Sequence, residues 1–525
     1  MRLSNLWAIA AVSVLSLPLM AQEPAQEPPR GEVPVVSETI DVRVVNVEAV
    51  VTDASGKPVR GLSAGDFRLL VDGQEVPVEY FTEVEEGTSV AQKPADAPTA
   101  PTAPASPVAT GEAVARSYLV YVDDSFSIAG RRNDLLTKIE RDLATLGPAD
   151  QMAVLAFDGS RIDVLCGWTA DPGKLREALA RARQRPARGG QMLAHQRALQ
   201  ADVDWMEISA ESIDTGDSNS FGPKAREMDE IYGALSKRIS PEARTQLGRT
   251  AAAAAASLRG FEIPPGRRVL LLLSGAWSLS VAPRLYGPLV EAANRLGYTV
   301  YPVDAAQSDA AEVTMLDKLA RATGGRALTA ATNDALREVV ADSGSYYWLG
   351  FTPTWKADDR QHGVTVETRR PGLVVRARGG FSDLSRRTEV AFKAESVLLF
   401  GGAPEDRRLI VELGKPTRKG RALEVPVTLG VPVEALAFVP QEEGYRADVP
   451  IAVVAQDGDG GRADLPSLRL QVAIKTLPKV GTYARFQTTL QLRNAKQHLI
   501  FTVQDPVSGH ALWGQADLEP GRGGR

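Results

Sequence analysis

Apolar and polar residues alternate through "TIDVRVVNVEAVVTD" (residues 39–53), the two-residue period of a half-buried strand. "ASGKPVRGL" breaks the pattern with glycine and proline and predicts a turn. "DFRLLVDGQEVPVEYFTEV" (66–84) predicts two further strands around a tight Asp-Gly turn. Residues 36–86 therefore read as a small β module without a helix.

From Ser117 the period changes. "YLVYV", "QMAVLAF" and "RIDVLCGW" predict strands, and "NDLLTKIERDLATL" and "PGKLREALARARQR" have helical spacing. "RRVLLLLSG" (267–275) is a continuous apolar run, as expected of a strand covered on both faces. A helix over "APRLYGPLVEAANRLG", a strand over "YTVYPVD" and a helix over "VTMLDKLARATGG" follow. Strand and helix in alternation predict an α/β domain over 114–344, a parallel sheet sandwiched by helices. Residues 203–260 interrupt it, first polar and then helical up to the alanine-rich "RTAAAAAASLRGF", and read as an insertion on one side of the sheet. "SYYWLGFTP", "HGVTVETRR" and "LVVRARGGF" make a β extension over 345–385, and five more alternating runs predict a sandwich over 386–518.

Composition adds the rest of the map. A chain of 525 residues exceeds one core. The start, "MRLSNLWAIAAVSVLSLPLMAQEP", has Arg2, an apolar stretch over 6–19 and a cleavage point after Ala21. Residues 1–21 thus read as a secretory signal, which places the chain in the periplasm or outside the cell. No later stretch approaches a bilayer span. Residues 22–35 read as a disordered spacer, the Pro/Ala/Thr-rich 87–113 as an extended tether, and 519–525 as a loose tail. A formal charge of -5 lacks the basic excess of a nucleic-acid binder. Cys166, the only cysteine, forms no intrachain disulfide and reads as a buried, inert thiol. His195, His362, His498 and His510 show no zinc-ligand spacing.

The candidate chemistry sits where "YLVYV" ends, in "DDSFS". Ligands of a parallel α/β sheet bind beyond the carboxyl ends of its strands. Asp123, Ser125 and Ser127 put one carboxylate and two hydroxyls at alternate positions, a set able to turn toward one small, hard cation such as magnesium, with an open position for a carboxylate of a partner protein. The competing reading is a helix cap, since Asp124, Ser125 and Ser127 all suit the start of the helix that follows.

The stretch resembles the first metal-binding loop of von Willebrand factor type A (VWFA) domains. Its surroundings resemble the secreted VWFA-related proteins typical of acidobacteria, through "VVNVEAVVTDASGKPVRGLSAGDFRLLVDG", "PPGRRVLLLLSG", "YTVYPVDA", "LARATGGRAL" and "SYYWLGFTPTW…HGVTVETRRPGLVVRARGGF", together about residues 36–382. The resemblance implies a VWFA-like (Rossmann-like) sheet with helices on both faces and a metal-ion-dependent adhesion site of three loops, holding Mg2+ or Mn2+. The first loop matches. The second places Gln191 where the family usually has threonine, and the third places Ser274 where it usually has aspartate. Gln191 and Ser274 offer neutral oxygens, so an ion would be held weakly.

Other motifs read as structure. Asp123 lacks the second aspartate of a phosphoryl-transfer loop, since Ser125 stands there. "DTGDSNS" (214–220) reads as a solvated loop and "AQDGDGGRADLPSL" (455–468) as a hairpin turn, because Arg462 and Leu468 stand where a calcium loop needs glycine and glutamate. In "SYYWLGF", Tyr346 and Trp348 share one strand face and Tyr347 takes the other, as core or as a recognition surface. The sequence therefore points to a non-enzymatic protein that mediates protein–protein interaction or adhesion at the cell envelope. A metal-free scaffold whose β modules and loops bind the partner is the alternative, and an undetected hydrolase a third reading.

Overall fold

The structure, a computed structural model, describes residues 44–90, 111–190, 241–261, 264–275, 282–306, 310–329, 334–355, 358–400, 409–420, 422–457, 462–464, 468–479, 481–505 and 511–519. The signal, spacer and most of the tether lie outside these residues, as do Gln191 and the Gly-Asp-Ser of 216–218. Two compact units divide the chain, one over Val42–Asp383 and one containing Leu384–Arg525.

In the first unit, β1 (Val45–Thr52), β2 (Phe67–Val71), β3 (Gln74–Val76), β4 (Tyr80–Glu85) and β5 (Thr88–Val90) come first. β2 and β3 join through Asp72 and Gly73, both at positive φ (50° and 78°), the backbone that a two-residue hairpin of this hand requires. The middle of the unit holds β6 (Arg116–Asp123), α1 (Ala129–Arg141), β7 (Gln151–Phe157), β8 (Ile162–Thr169), α2 (Pro172–Gln184), α3 (Pro241–Gly260), β9 (Arg267–Ser274), α4 (Ala282–Leu296), β10 (Tyr298–Asp304), α5 (Ala310–Ala322) and α6 (Ala335–Asp342). It closes with β11 (Tyr346–Phe351), β12 (Arg360–Thr368), β13 (Val374–Ala377) and β14 (Gly380–Asp383).

β1–β5 and β11–β14 build two antiparallel sheets, in the orders β13-β1-β11-β4-β5 and β14-β12-β2-β3. The strands read from two stretches of sequence thus interleave, with Ala49 opposite Tyr347 and Leu69 opposite Val366. One core receives side chains from both sheets, among them Val47, Phe67, Leu69, Phe81, Tyr347 and Val364. The alternation seen in the sequence is the reason: every second side chain of each strand faces the other sheet.

The middle of the unit is a five-stranded sheet in the order β10-β9-β6-β7-β8. β10, β9, β6 and β7 pair in parallel, but β8 runs antiparallel to β7. Four residues, Asp158–Arg161, separate these two strands, far too few for the crossover that parallel pairing needs. They form a turn in which Asp158 Oδ1 accepts from the amides of Ser160 (2.8 Å) and Arg161 (2.9 Å). β6 is buried along its whole length, and Leu135, Leu136 and Ile139 of α1, Leu175 and Leu179 of α2 and Leu336 of α6 share its core.

The second unit starts with α7 (Arg386–Leu399), whose N-cap Ser385 accepts from the Thr388 amide at 3.4 Å. This helix lies where the sequence reading had only strands, although its apolar positions (Ala394, Val397, Leu398) keep helical spacing. β15 (Ile410–Leu413), β16 (Thr417–Lys419), β17 (Ala422–Pro432), β18 (Val439–Gln441), β19 (Gly444–Asp457), β20 (Arg462–Asp464), β21 (Leu468–Ile474), β22 (Tyr483–Arg493), β23 (Gln497–Gln504) and β24 (Ala511–Leu518) follow. They form two antiparallel sheets around one core that includes Val425, Leu429, Phe438, Ile451, Leu470, Leu490 and Phe501. β19 and β20 pair as the hairpin expected of "AQDGDGGRADLPSL".

The expected α/β class, a VWFA-like (Rossmann-like) parallel sheet with helices on both faces, is therefore corrected. The described chain is mostly β, four of its five sheets are antiparallel, and the sheet with parallel pairs is mixed. The short β7–β8 link and the long-range pairing of β1 with β11 are the physical causes.

Candidate functional site

The stretch "DDSFS" lies between the end of β6 and the start of α1. β6 carries the Asp123 side chain into a fully buried position, and Ser125 and Ser127 are buried with it. Two glycines let neighbouring loops close over this turn. A Cβ on Gly189 would lie 2.7 Å from the Ser127 backbone, and one on Gly275 only 2.0 Å from the Phe126 carbonyl oxygen. The Gly189 amide donates to the Ser127 carbonyl (3.2 Å), the Arg188 amide to that of Asp124 (2.7 Å), and the Ile128 amide to that of Ala305 (3.0 Å). Asp123, Ser125, Ser127 and Ser274 lie together in this turn and at the adjoining end of β9. Gln191 lies outside the described residues.

Within the cluster the polar atoms satisfy one another. Asp123 Oδ1 accepts from the Ser125 amide (2.9 Å) and, at 3.4 Å, from that of Phe126. Asp123 Oδ2 accepts from the Ser274 hydroxyl at 2.7 Å. The Ser127 hydroxyl donates back to the Asp123 carbonyl oxygen. Ser125 Oγ accepts from Gln246 Nε2 of α3 at 3.2 Å. Burial pushes the Asp123 carboxyl up to about 7, against the lowering effect of its hydrogen bonds to Ser274 and the Ser125 amide.

Asp124 does something the sequence did not reveal. Its carboxylate accepts from Arg132 Nη1 (2.5 Å) and Arg185 Nε (2.6 Å), and all three side chains are largely withdrawn from solvent. Burial raises the Asp124 carboxyl while the two guanidiniums oppose that rise. Arg132 also donates to the Arg185 carbonyl at 2.7 Å. The result ties the first turns of α1 to the end of α2. The helix-cap reading is also revised: the N-cap of α1 is Ile128, without a side-chain cap, and Asp123 holds the two free amides of the turn before the helix begins.

This arrangement does not fit a divalent cation. Magnesium takes near-octahedral oxygen ligands and is usually held through one or two carboxylates that keep free lone pairs for it, together with several waters. Here the Asp123 carboxylate takes three donors, Ser127 turns to its own turn's carbonyl, and the neighbouring carboxylate is committed to two arginines. The Ser274 hydroxyl donates its proton to Asp123 Oδ2 and adds no negative charge to the cluster.

The remaining candidates resolve as packing. Tyr347 stacks among Phe67 and Phe81 (ring centroids 5.1 and 5.9 Å) in the sandwich core, and its hydroxyl donates to the Val59 carbonyl at 2.9 Å. Tyr346 and Trp348 meet on the opposite face, 6.3 Å apart. Cys166 lies partly exposed on β8 rather than buried, and burial of its inner side raises the thiol. His362, read only as an isolated histidine, pairs through Nδ1 with Asp72 Oδ2 (2.8 Å) and stacks on Trp355 at 4.0 Å. No sequence signal marks that pair, because 290 residues separate its members.

No protein-family model matches the chain, and no curated protein matches it. Among solved structures, the SpRpn10 VWA domain is 11% identical with a TM-score of 0.17, over 39% of this chain and 94% of that one. The ArnB paralog VWA2 from Sulfolobus acidocaldarius is 8% identical with a TM-score of 0.15, over 90% and 74%. The pilus adhesin SpaC from Lactobacillus rhamnosus GG is 7% identical with a TM-score of 0.25, over 77% and 53%. Likenesses this slight carry no argument about this chain. Among the described residues, no helix is long and apolar enough to cross a membrane.

Proposed function

We propose that this chain is a non-catalytic binding protein, acting in protein–protein interaction or adhesion at the cell envelope, and that its partner contact does not run through a divalent cation. One observation carries the metal-free reading: both carboxylate oxygens of Asp123 are taken by the Ser125 and Phe126 amides and the Ser274 hydroxyl. An incoming acidic group would meet a self-satisfied turn and no exposed positive ion. The β strands around that turn then act as a rigid frame, and the partner binds on loops and sheet surfaces. The secretory start of the sequence supports a periplasmic or extracellular site of action, and the lack of a basic excess supports a protein partner over a nucleic acid.

Calorimetric titration of Mg2+ and Mn2+ into the full chain tests this. The expected result is no saturable heat in the wild type and none in Asp123→Ala. Stoichiometric binding in the wild type that Asp123→Ala abolishes would overturn the metal-free reading and return Asp123, Ser125, Ser127 and Ser274 to the role of ion ligands.

A further inference from the structure

β22 stands at the edge of its sheet. It pairs with β17 along its whole length, from Tyr483 opposite Pro432 to Arg493 opposite Ala422. At 11 residues it is the longest edge strand among the described residues. An edge strand presents unpaired amides and carbonyls to any other strand, and folded proteins blunt such edges with proline, lysine, bulges or short length. β8, an edge of the mixed sheet, shows one of these devices, since two register shifts interrupt its ladder with β7. β22 has none. Its sequence "YARFQTTLQLR" contains no proline or lysine, and its register against β17 is unbroken.

The prolines of β17 tell which way the backbone of β22 points. Pro426 and Pro432 have no amide to donate, and they stand opposite Thr489 and Tyr483. The Pro426 carbonyl accepts from the Gly414 amide at 2.7 Å, on the other side of β17. The Val433 amide donates to the Thr482 carbonyl at 3.0 Å. Hydrogen-bonded and non-hydrogen-bonded pairs alternate along an antiparallel ladder. The even-numbered residues of β22 therefore bond to β17. Arg485, Gln487, Thr489 and Gln491 turn amide and carbonyl to the open edge, where no hydrogen-bond partner stands among the described residues.

The flank beside this edge is apolar. β15 meets β24, where a Cβ on Gly514 would touch Val411 at 2.5 Å, so β22 and β21 lie on the opposite flank of the sandwich. There the inward-pointing Phe486, Val472 and Ile474 are only half-buried against the core.

The strand is also complementary to itself. In the one antiparallel register that uses all of β22, Thr488 lies opposite its own copy. On the inner face Phe486 then meets Leu490 and Ala484 meets Leu492. On the outer face Arg485 meets Gln491 and Arg493 meets Tyr483, so no like charges face each other. Apolar cross-strand pairs stabilise a sheet and like charges weaken it. Moving the centre one residue on, to Thr489, would set Arg485 against Arg493.

We propose that β22 is a homodimer interface, at which the β22 strands of two copies pair antiparallel about a twofold axis at Thr488. Gln487 exchanges both backbone hydrogen bonds with Thr489 of the second copy, and Arg485 does so with Gln491 of the second copy. Each copy supplies the same edge, so the pairing closes at two and leaves neither β22 open. It also covers Phe486 with the second copy's Leu490. The interface lies wholly in the second unit and is independent of the partner contact proposed above.

Sedimentation of the full chain over a concentration series tests this, together with cysteine cross-linking. The expected result is a monomer–dimer equilibrium and no larger species. Gln487→Pro removes an amide that β17 does not use. It should raise the dimer dissociation constant at least about ten-fold while leaving the circular-dichroism spectrum unchanged. In a Cys166→Ser background, Thr488→Cys should form a disulfide between copies under mild oxidation, because a non-hydrogen-bonded pair brings its Cα atoms within disulfide reach. Gln491→Cys, whose copies lie far apart in this register, should not. The cross-link keeps the test decisive should the proline variant fail to fold. The proposal is overturned by a monomer at every concentration up to about 100 μM, by a dimer that Gln487→Pro leaves unchanged, or by cross-linking no faster through Thr488→Cys than through Gln491→Cys. Any of these would leave the edge to a strand of another protein.

Discussion

Asp123 shows how a single residue's chemistry follows from where its backbone ends. The same D-x-S-x-S pattern can present a carboxylate to solvent or fold it inward, and here Ser274 and two amides draw it inward. Its carboxyl, raised from 3.8 to about 7 by burial, makes a signed prediction. A carboxyl raised in the folded state stabilises below its unfolded value, and that stabilisation is lost as pH rises through the folded value. The wild type should therefore lose stability between about pH 4 and 7 on account of this group. Asp123→Asn keeps the acceptor oxygen toward the Ser125 amide and can donate to Ser274. It should flatten this dependence and be the more stable protein at pH 8, as measured by urea midpoints at pH 5 and 8. An unchanged pH profile would show that Asp123 does not hold its proton in this way. Asp124, one position on, is a contrasting residue. Its two guanidiniums supply the counter-charge that Asp123 lacks.

At the scale of elements, the turn after β6 depends on close approach by its neighbours. A methyl group on Gly275 has no room, since it would lie 2.0 Å from the Phe126 carbonyl oxygen and 3.0 Å from Ala306. Gly275→Ala should destabilise the first unit by about 1–3 kcal/mol, the usual cost of overpacking. Gly130, inside α1, has open space around its Cβ position. Gly130→Ala should be neutral or stabilising by about 0.5–1 kcal/mol through helix propensity. Denaturant unfolding of the two variants side by side checks the pair, and equal effects would contradict the close approach of the third loop. The elements also show what local pattern can and cannot say. The continuous apolar runs of β6 and β9 were legible because both faces of those strands are covered. The antiparallel direction of β8 was missed, although only four residues link it to β7, because strand and helix in alternation pointed to parallel pairing throughout. α7 kept a helical spacing that the surrounding strands obscured.

At the scale of the whole molecule, the sandwich of the first unit is assembled from strands about 300 residues apart, with β1 beside β11 and β2 beside β12. Residues 44–90 alone carry only part of that core. Expressed as an isolated fragment, they should lack cooperative unfolding by circular dichroism, because Phe67, Leu69 and Phe81 lose Tyr347, Leu349 and Val364. A cooperative transition in the fragment would show that β1–β5 suffice. The second unit gathers its own core within Leu409–Leu518 and α7.

The amino-acid sequence by itself determined the strands and most of the helices, since period and turn chemistry are local properties of a few neighbouring residues. Asp123, Ser125 and Ser127 are neighbours in one short stretch, and Ser274 lies near them because β6 and β9 run side by side and end together. Only the tertiary structure decided which strands pair across hundreds of residues, that Asp124 binds Arg132 and Arg185, and that Asp123 is closed by Ser274. Those outcomes depend on burial and on the direction in which each polar atom finally points. Both are set by packing between distant segments, and no spacing along the chain records them.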